Sequence, residues 1–244
     1  MRKLGFGILA LVAVWAAPAV SQDDEESIAD LSGAEVVVTA SRREADGYNV
    51  LIPVIGLRRL ADFAVQEVAI VGDTREAVKR NAEIYAMLEN AIELAQKRGG
   101  IELATGELIV EPLTKANYED LALGSDGRPD TGRASFLVKV RLTDGATAKA
   151  AIERIAAFIK DVPTVGRAEM RASGDLTLSL VKPDQYRGAV ADLIAADARD
   201  MAGRIGEGYA VDVRGLDRPV EWTRASLTEV FLYLPYGYSV VPKR

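Results

Sequence analysis

The sequence predicts an α+β fold, with antiparallel sheets, long amphipathic helices packed on one face, and a repeated strand-strand-helix order. Three observations carry this expectation. Between Asp73 and Gly100, Val78, Ala82, Tyr85, Leu88, Ile92 and Ala95 recur at helical spacing, while Lys79, Arg80, Glu83, Glu93 and Lys97 occupy the other positions. From Phe136 to Leu142 the period changes to two: Phe136, Val138, Val140 and Leu142 alternate with Lys139 and Arg141, as on a sheet with one buried face. Helical stretches also alternate with pairs of β-prone segments, which favours hairpins over parallel crossover units.

In chain order, Arg2 and Lys3 precede an apolar run from Leu4 to Trp15 and the small residues Ala19-Val20-Ser21. That order predicts a signal peptide over residues 1–21, cut before Gln22. The run is short for a membrane-spanning helix and ends in Pro18. Residues 22–50 form an acidic segment opening with Asp23-Asp24-Glu25-Glu26, with a β-prone stretch inside it at 34–43. Residues 51–244 are expected to form the α+β domain.

Ile52–Leu57 and Phe63–Val71 read as strands leading into the first helix. Asp73 is placed to cap that helix, with Glu76 completing a capping box and Gly99-Gly100 ending it. Leu108–Val110 reads as a strand closed by Pro112, and residues 115–133 as a loop rich in Gly, Asp, Ser and Pro. Asp126 and Asp130 in that loop lack the further carboxylates of a calcium loop, which favours a turn. Asp144 is placed to cap a second helix with the stripe Ala148, Ile152, Ile155 and Ile159. Arg167–Arg171 and Leu176–Val181 then predict a hairpin about Ser173-Gly174-Asp175. A third helix runs from Asp184 to Ile205, its inner face carrying Tyr186, Val190, Leu193, Ile194, Ala198, Met201 and Ile205. Tyr209–Val213 and Leu227–Leu234 read as the last strands.

Composition narrows the function. The 244 residues carry 30 Lys and Arg against 36 Asp and Glu, a net charge of −6. No basic stripe exists to displace nucleic-acid counterions, so nucleic acid is not an expected partner. Cysteine and histidine are both absent, which removes thiolate nucleophiles, the commonest general base and the usual transition-metal ligands. No serine sits in Gly-x-Ser-x-Gly, and no Gly-x-x-x-x-Gly-Lys occurs. The sequence therefore predicts no enzyme, no cofactor, no metal site and no catalytic residue.

Several local phrases, taken in order, resemble the SIMPL domain (DUF541) family. These are Ala61-Asp62-Phe63-Ala64 with Thr74-Arg75-Glu76-Ala77 and Asn81, then Gly99-Gly100-Ile101 with a strand ending in Pro112, then Asp197-Ala198-Arg199 with Met201-Ala202, Gly206 and Gly208. The resemblance covers roughly 52–234. It departs from the family at Pro53 and in the 117–133 loop. It implies an exported, oligomeric protein of the bacterial envelope, linked to stress tolerance and without an established catalytic activity. The periplasm is then the expected location, with association to the outer membrane as a variant. Separately, residues 34–43 resemble the energy-coupling box of TonB-dependent receptors, which implies a TonB-like envelope partner met by strand addition.

Phe231, Tyr233, Tyr236 and Tyr238 cluster within eight residues of a chain that is 6% aromatic. They are the candidate interface of a homo-oligomer, with a buried strand as the competing reading. A small-ligand binding module is the alternative function.

Overall fold

The computed structural model describes residues 35–38 and 52–243 of the chain, with side chains from Glu35 and from 52 onward. The expected signal peptide and the rest of the 22–50 segment lie outside the described residues. Among the described residues eleven strands and three α-helices follow one another. The first part holds β1 (Glu35–Val38), β2 (Leu57–Leu60), β3 (Phe63–Gly72), α1 (Ala77–Arg98), β4 (Ile101–Thr105), β5 (Ile109–Pro112) and β6 (Gly132–Arg141). The second holds α2 (Ala148–Asp161), β7 (Glu169–Val181), α3 (Arg187–Ile205), β8 (Tyr209–Arg214), β9 (Glu221–Arg224), β10 (Glu229–Tyr233) and β11 (Gly237–Pro242).

Every strand pairing is antiparallel, so the chain is an α+β protein. Six strands close into a barrel in the order β1-β5-β4-β6-β3-β7, with β1 joining β7 to complete the ring. A three-stranded sheet, β2-β10-β9, and a two-stranded ribbon, β11-β8, stand beside it.

Alternation along the barrel strands divides their side chains between two environments. Val68, Ile70, Phe136, Val138 and Val140 face outward and bury against α1 and α2 in the larger core, with Ile84, Met87, Leu88, Ile155 and Phe158. Leu178 and Leu180 of β7 instead join Val190 and Ile194 of α3, Trp222 of β9, and Val230 and Leu232 of β10 in a second core. Among the described residues no helix is long and apolar enough to cross a membrane.

The phases of the helices differ from those the sequence predicts. Helix α1 buries Glu83, Ile84, Met87, Leu88, Ala91, Ile92 and Ala95, whereas Val78 is 78% exposed. The first turn overhangs the barrel, so the inward stripe begins one turn later. Glu83, expected on the charged face, is buried because its carboxylate accepts hydrogen bonds from the Thr74 hydroxyl at 2.6 Å and the Arg167 amide at 3.2 Å. Both bonds fall on Oε2, and the Thr74 bond holds the carboxyl below its usual range.

Asp73 caps no helix; it grips the Arg167 guanidinium through both oxygens, at 2.6 and 2.8 Å, and α1 starts after Glu76 without a side-chain cap. Helix α2 is capped by Thr147, whose hydroxyl accepts from the Ala150 amide at 3.2 Å, rather than by Asp144. Its buried face is Ala151, Ile155 and Phe158, leaving Ile152 46% exposed.

The strands bring further corrections. The expected hairpin at Ser173-Gly174-Asp175 is a bulge within the single strand β7: Gln66 of β3 faces Leu176, but Val68 faces Ala172. Two extra residues on β7 keep the pairing on both sides and bend the strand. The strand-strand-helix order therefore fails at its second repeat, where three strands precede α2, and at its third, where one long strand precedes α3. The first expected strand, Ile52–Leu57, lies instead at Leu57–Leu60, and β4, β9 and β11 come as additions.

Candidate functional site

Because the barrel closes, the second face of β3, β6 and β7 turns into a lumen and not out to solvent. Toward one end the inner wall carries Phe63, Glu102, Lys139, Arg141 and Ser179, joined there by Glu35 of β1. Lys139 is 4% exposed and forms an ion pair with Glu35. Glu102 is a second acceptor, its carboxylate lying 3.3 Å from the same ammonium and 3.2 Å from the Arg141 guanidinium. The Ser179 hydroxyl donates to Glu35 at 2.6 Å. The Phe63 ring faces both cations, with Lys139 Nζ at 4.2 Å and Arg141 Cζ at 4.6 Å from its centroid. The buried ammonium thus has two carboxylates and an aromatic face, the compensation that a buried charge requires.

Toward the other end the lumen opens into a cavity of about 580 Å³. Glu67 of β3, Ser135 and Leu137 of β6, and Ser173 and Thr177 of β7 line its wall, and the β4–β5 turn (Thr105-Gly106-Glu107) and the β7 bulge form its rim. Two local features build the rim. Gly106 has a φ of 109°, and a side chain there would run into the carbonyl of Ile109, so glycine allows the tight β4–β5 turn. The bulge swings Ser173 and Gly174 outward from the ladder, and Gln66 Nε2 donates to the Gly174 carbonyl at 3.2 Å to hold it.

Arg133 ties the wall together. Its Nε donates to Ser135 Oγ at 2.8 Å, and its Nη2 to Ser173 Oγ at 2.7 Å and Glu67 Oε1 at 3.1 Å. Glu107 and Asp175 on the rim take part in no ion pair with another described residue. The cavity therefore offers hydroxyls, carboxylates and a short apolar floor at Leu137. Phe136 and Leu137 make much of the lining apolar, which suits a small molecule with both apolar and polar parts, and the volume lies within the range of small-molecule sites. It has no paired nucleophile and base.

A second cleft, of about 340 Å³, lies between Asp73, Arg128, Arg167, Glu169 and Arg171. Its arginines are already committed: Arg167 to Asp73, and Arg171 to Asp126 at 2.6 Å with Arg128 at 3.8 Å from the same carboxylate. Asp126 is thus an ion-pair partner, and Asp130, with a φ of 59°, is a turn residue whose carbonyl accepts from Arg80 at 3.1 Å. Among the described residues no group of three or more acidic side chains is arranged to hold a metal ion.

The four candidate interface residues fall into two pairs. Phe231 stacks on Tyr233, with centroids 5.9 Å apart, and Tyr236 stacks on Tyr238 at 6.3 Å. Tyr233 is 2% exposed, and its hydroxyl lies 3.2 Å from the Glu221 carboxylate, so it belongs to the interior. Phe231 is half-buried beneath the chain at Gly56, where an added Cβ would meet its ring. Tyr236 packs against the second core, and burial raises its phenol pKa. Tyr238, 42% exposed on β11, is the one of the four that faces solvent. Sequence reasoning did not select Lys139, Glu67, Ser135, Ser173 or Thr177. The alternation that placed Lys139 opposite the helices was visible, but it reads identically for a solvent face and a lumen.

No family model and no curated protein matches the chain. Among solved structures, an uncharacterized conserved protein from Listeria innocua is 13% identical, spanning 80% of this chain and 98% of its own, with a TM-score of 0.15. A hydrolase from Listeria innocua is 14% identical over 80% of this chain and 97% of its own, also with a TM-score of 0.15. Likeness at that level carries no argument about fold or activity.

Proposed function

We propose that this chain is a non-catalytic binding module of the bacterial cell envelope that holds a small ligand in the mouth of its barrel. The observation that carries the reading is the 580 Å³ cavity, whose wall is set by the Arg133 network and whose rim is shaped by Gly106 and the β7 bulge. The envelope location rests on the export signal expected at residues 1–21 and on the resemblance to the SIMPL family, for which stress tolerance is the associated role. Support for a non-catalytic role comes from the burial of Lys139 and Ser179, whose cluster with Glu35 sits away from the cavity wall.

Native mass spectrometry of the protein recovered from the periplasm tests this reading. A retained small molecule is expected on the natural chain and not on a folded Ser135→Phe variant, in which the ring fills the cavity. The same adduct on both proteins contradicts it. Recovery of chains beginning at Gln22 checks the predicted export.

A homo-oligomeric structural role is the second reading, favoured by the β8–β11 ribbon. That ribbon pairs only with itself and exposes Tyr209, Tyr238, Val240 and Val241. Light scattering of Tyr238→Ser checks it: a lower mass than the natural chain is expected, and an unchanged mass removes the ribbon from consideration.

A further inference from the structure

We propose that β1 is exchanged between copies of this chain, so that the slot between β5 and β7 of one barrel takes residues 35–38 of a second copy. Four observations lead there.

First, β1 is lightly held. It stands in register with β5 over two residues and with β7 over four, whereas β3 and β6 run in register over ten. Second, it heads a long tether. Sixteen residues, 39–54, separate Val38 from Ile55, which packs against the second core. Fully extended, a connection of that length spans roughly 55 Å, ample to reach an adjoining barrel.

Third, the slot is never comfortable empty. Without β1, the backbone of Ile109–Val110 and of Leu178–Val181 becomes two bare edges facing each other, and bare edges recruit strands. Fourth, the slot is chemically marked for this strand. Lys139, buried on the lumen wall, and the Ser179 hydroxyl both converge on the Glu35 carboxylate at the first position of β1. A donor with an acidic residue at that register is selected, and a second copy brings the same residues in the same register.

Exchange therefore loses none of the strand's interactions. It replaces the closure of a 16-residue connection by association with another molecule, a low-cost route to oligomers. The β-prone stretch that resembles a partner-binding box is, in this account, bound by its own kind.

The absence of cysteine makes the test clean. Val36 and Ile109 are direct register partners, and cross-strand partners lie within disulfide reach. Two differently tagged full-length chains, one Val36→Cys and the other Ile109→Cys, are mixed and oxidised in a glutathione buffer. The mixed disulfide is expected to exceed both like-with-like dimers and to be lost when the Val36→Cys chain also carries Glu35→Lys. A single chain bearing both cysteines is expected to oxidise into linked multimers. If that double variant closes within one chain and the mixture yields no mixed disulfide, β1 stays at home and the proposal fails. Failure of either cysteine pair to oxidise also overturns it, because β1 then does not occupy the slot. Persistence of the mixed disulfide with Glu35→Lys overturns the assigned role of Lys139. None of these readouts depends on ligand in the barrel mouth.

Discussion

Replacing Glu35 by glutamine removes one of the two carboxylates that face the Lys139 ammonium. Lys139 is buried to 4% exposure, and breaking a buried ion pair by deleting one partner costs about 3–5 kcal/mol when the other charge is left alone. Here Glu102 remains at 3.3 Å but is itself 45% exposed, so it compensates only in part. The expected loss for Glu35→Gln is therefore below that range, at about 2 kcal/mol.

Lys139→Met removes the buried charge, keeps most of the stem volume against Phe63 and leaves Glu35 with the Ser179 hydroxyl. Its expected cost is about 1 kcal/mol. In the Lys139→Met background, Glu35→Gln should then cost about 0.5 kcal/mol or less, a coupling of about 1.5 kcal/mol. Urea unfolding at neutral pH, followed by circular dichroism, measures all four proteins. Equal costs of Glu35→Gln in both backgrounds would refute the reasoning, because the two side chains would then be independent.

The phase of α2 is checked by a pair of truncations. Phe158→Ala, at a fully buried position, should lose about 3–5 kcal/mol, and Ile152→Ala about 0.5 kcal/mol or less, read from urea midpoints. Gly56→Ala should cost about 1–3 kcal/mol, because its Cβ would lie 2.5 Å from the backbone carbonyl of Leu232, which has little room to shift. Acid should destabilise the protein. Thr74 holds the Glu83 carboxyl, Arg167 that of Asp73, Lys115 that of Glu93 and Arg58 that of Glu229 below their ordinary values. A depressed carboxyl stabilises the fold above its unfolded pKa, about 3.9 for Asp and 4.3 for Glu, and that contribution disappears as pH falls through the lower folded value. Melting temperature should therefore fall steadily below about pH 4.5, and a smaller fall is expected for Asp73→Asn.

Much of the secondary structure was legible because its signals are local. The ends of α1 near Gly99 and the alternation of β6 depend on residues within one turn or one pleat of each other. What was not legible depends on distant partners. Glu83 looks like a surface charge until Thr74 and the Arg167 amide reach it across the fold. Ser173-Gly174-Asp175 has the composition of a hairpin turn, and only pairing with β3 on both sides makes it a bulge. Barrel closure decides whether the polar face of β6 meets water or a lumen, and that closure runs through β1, a four-residue strand far away in sequence. For the same reason the cavity-lining residues were invisible one at a time. Tyr233 illustrates the converse case: its aromatic neighbours suggested a surface, but Glu221 on β9 accepts its hydroxyl inside the fold.

Chemical-shift mapping tests the central claim, binding in the barrel mouth, most directly. The ¹⁵N-labelled protein, without residues 1–21, is titrated with the small-molecule fraction of a periplasmic extract. The account predicts amide shifts confined to Glu67, Thr105–Glu107, Ser135–Leu137 and 173–177, and their disappearance in a folded Ser135→Phe variant. Shifts centred on the β8–β11 ribbon or on the Arg167 cleft, or the same shifts in the blocked variant, would contradict it.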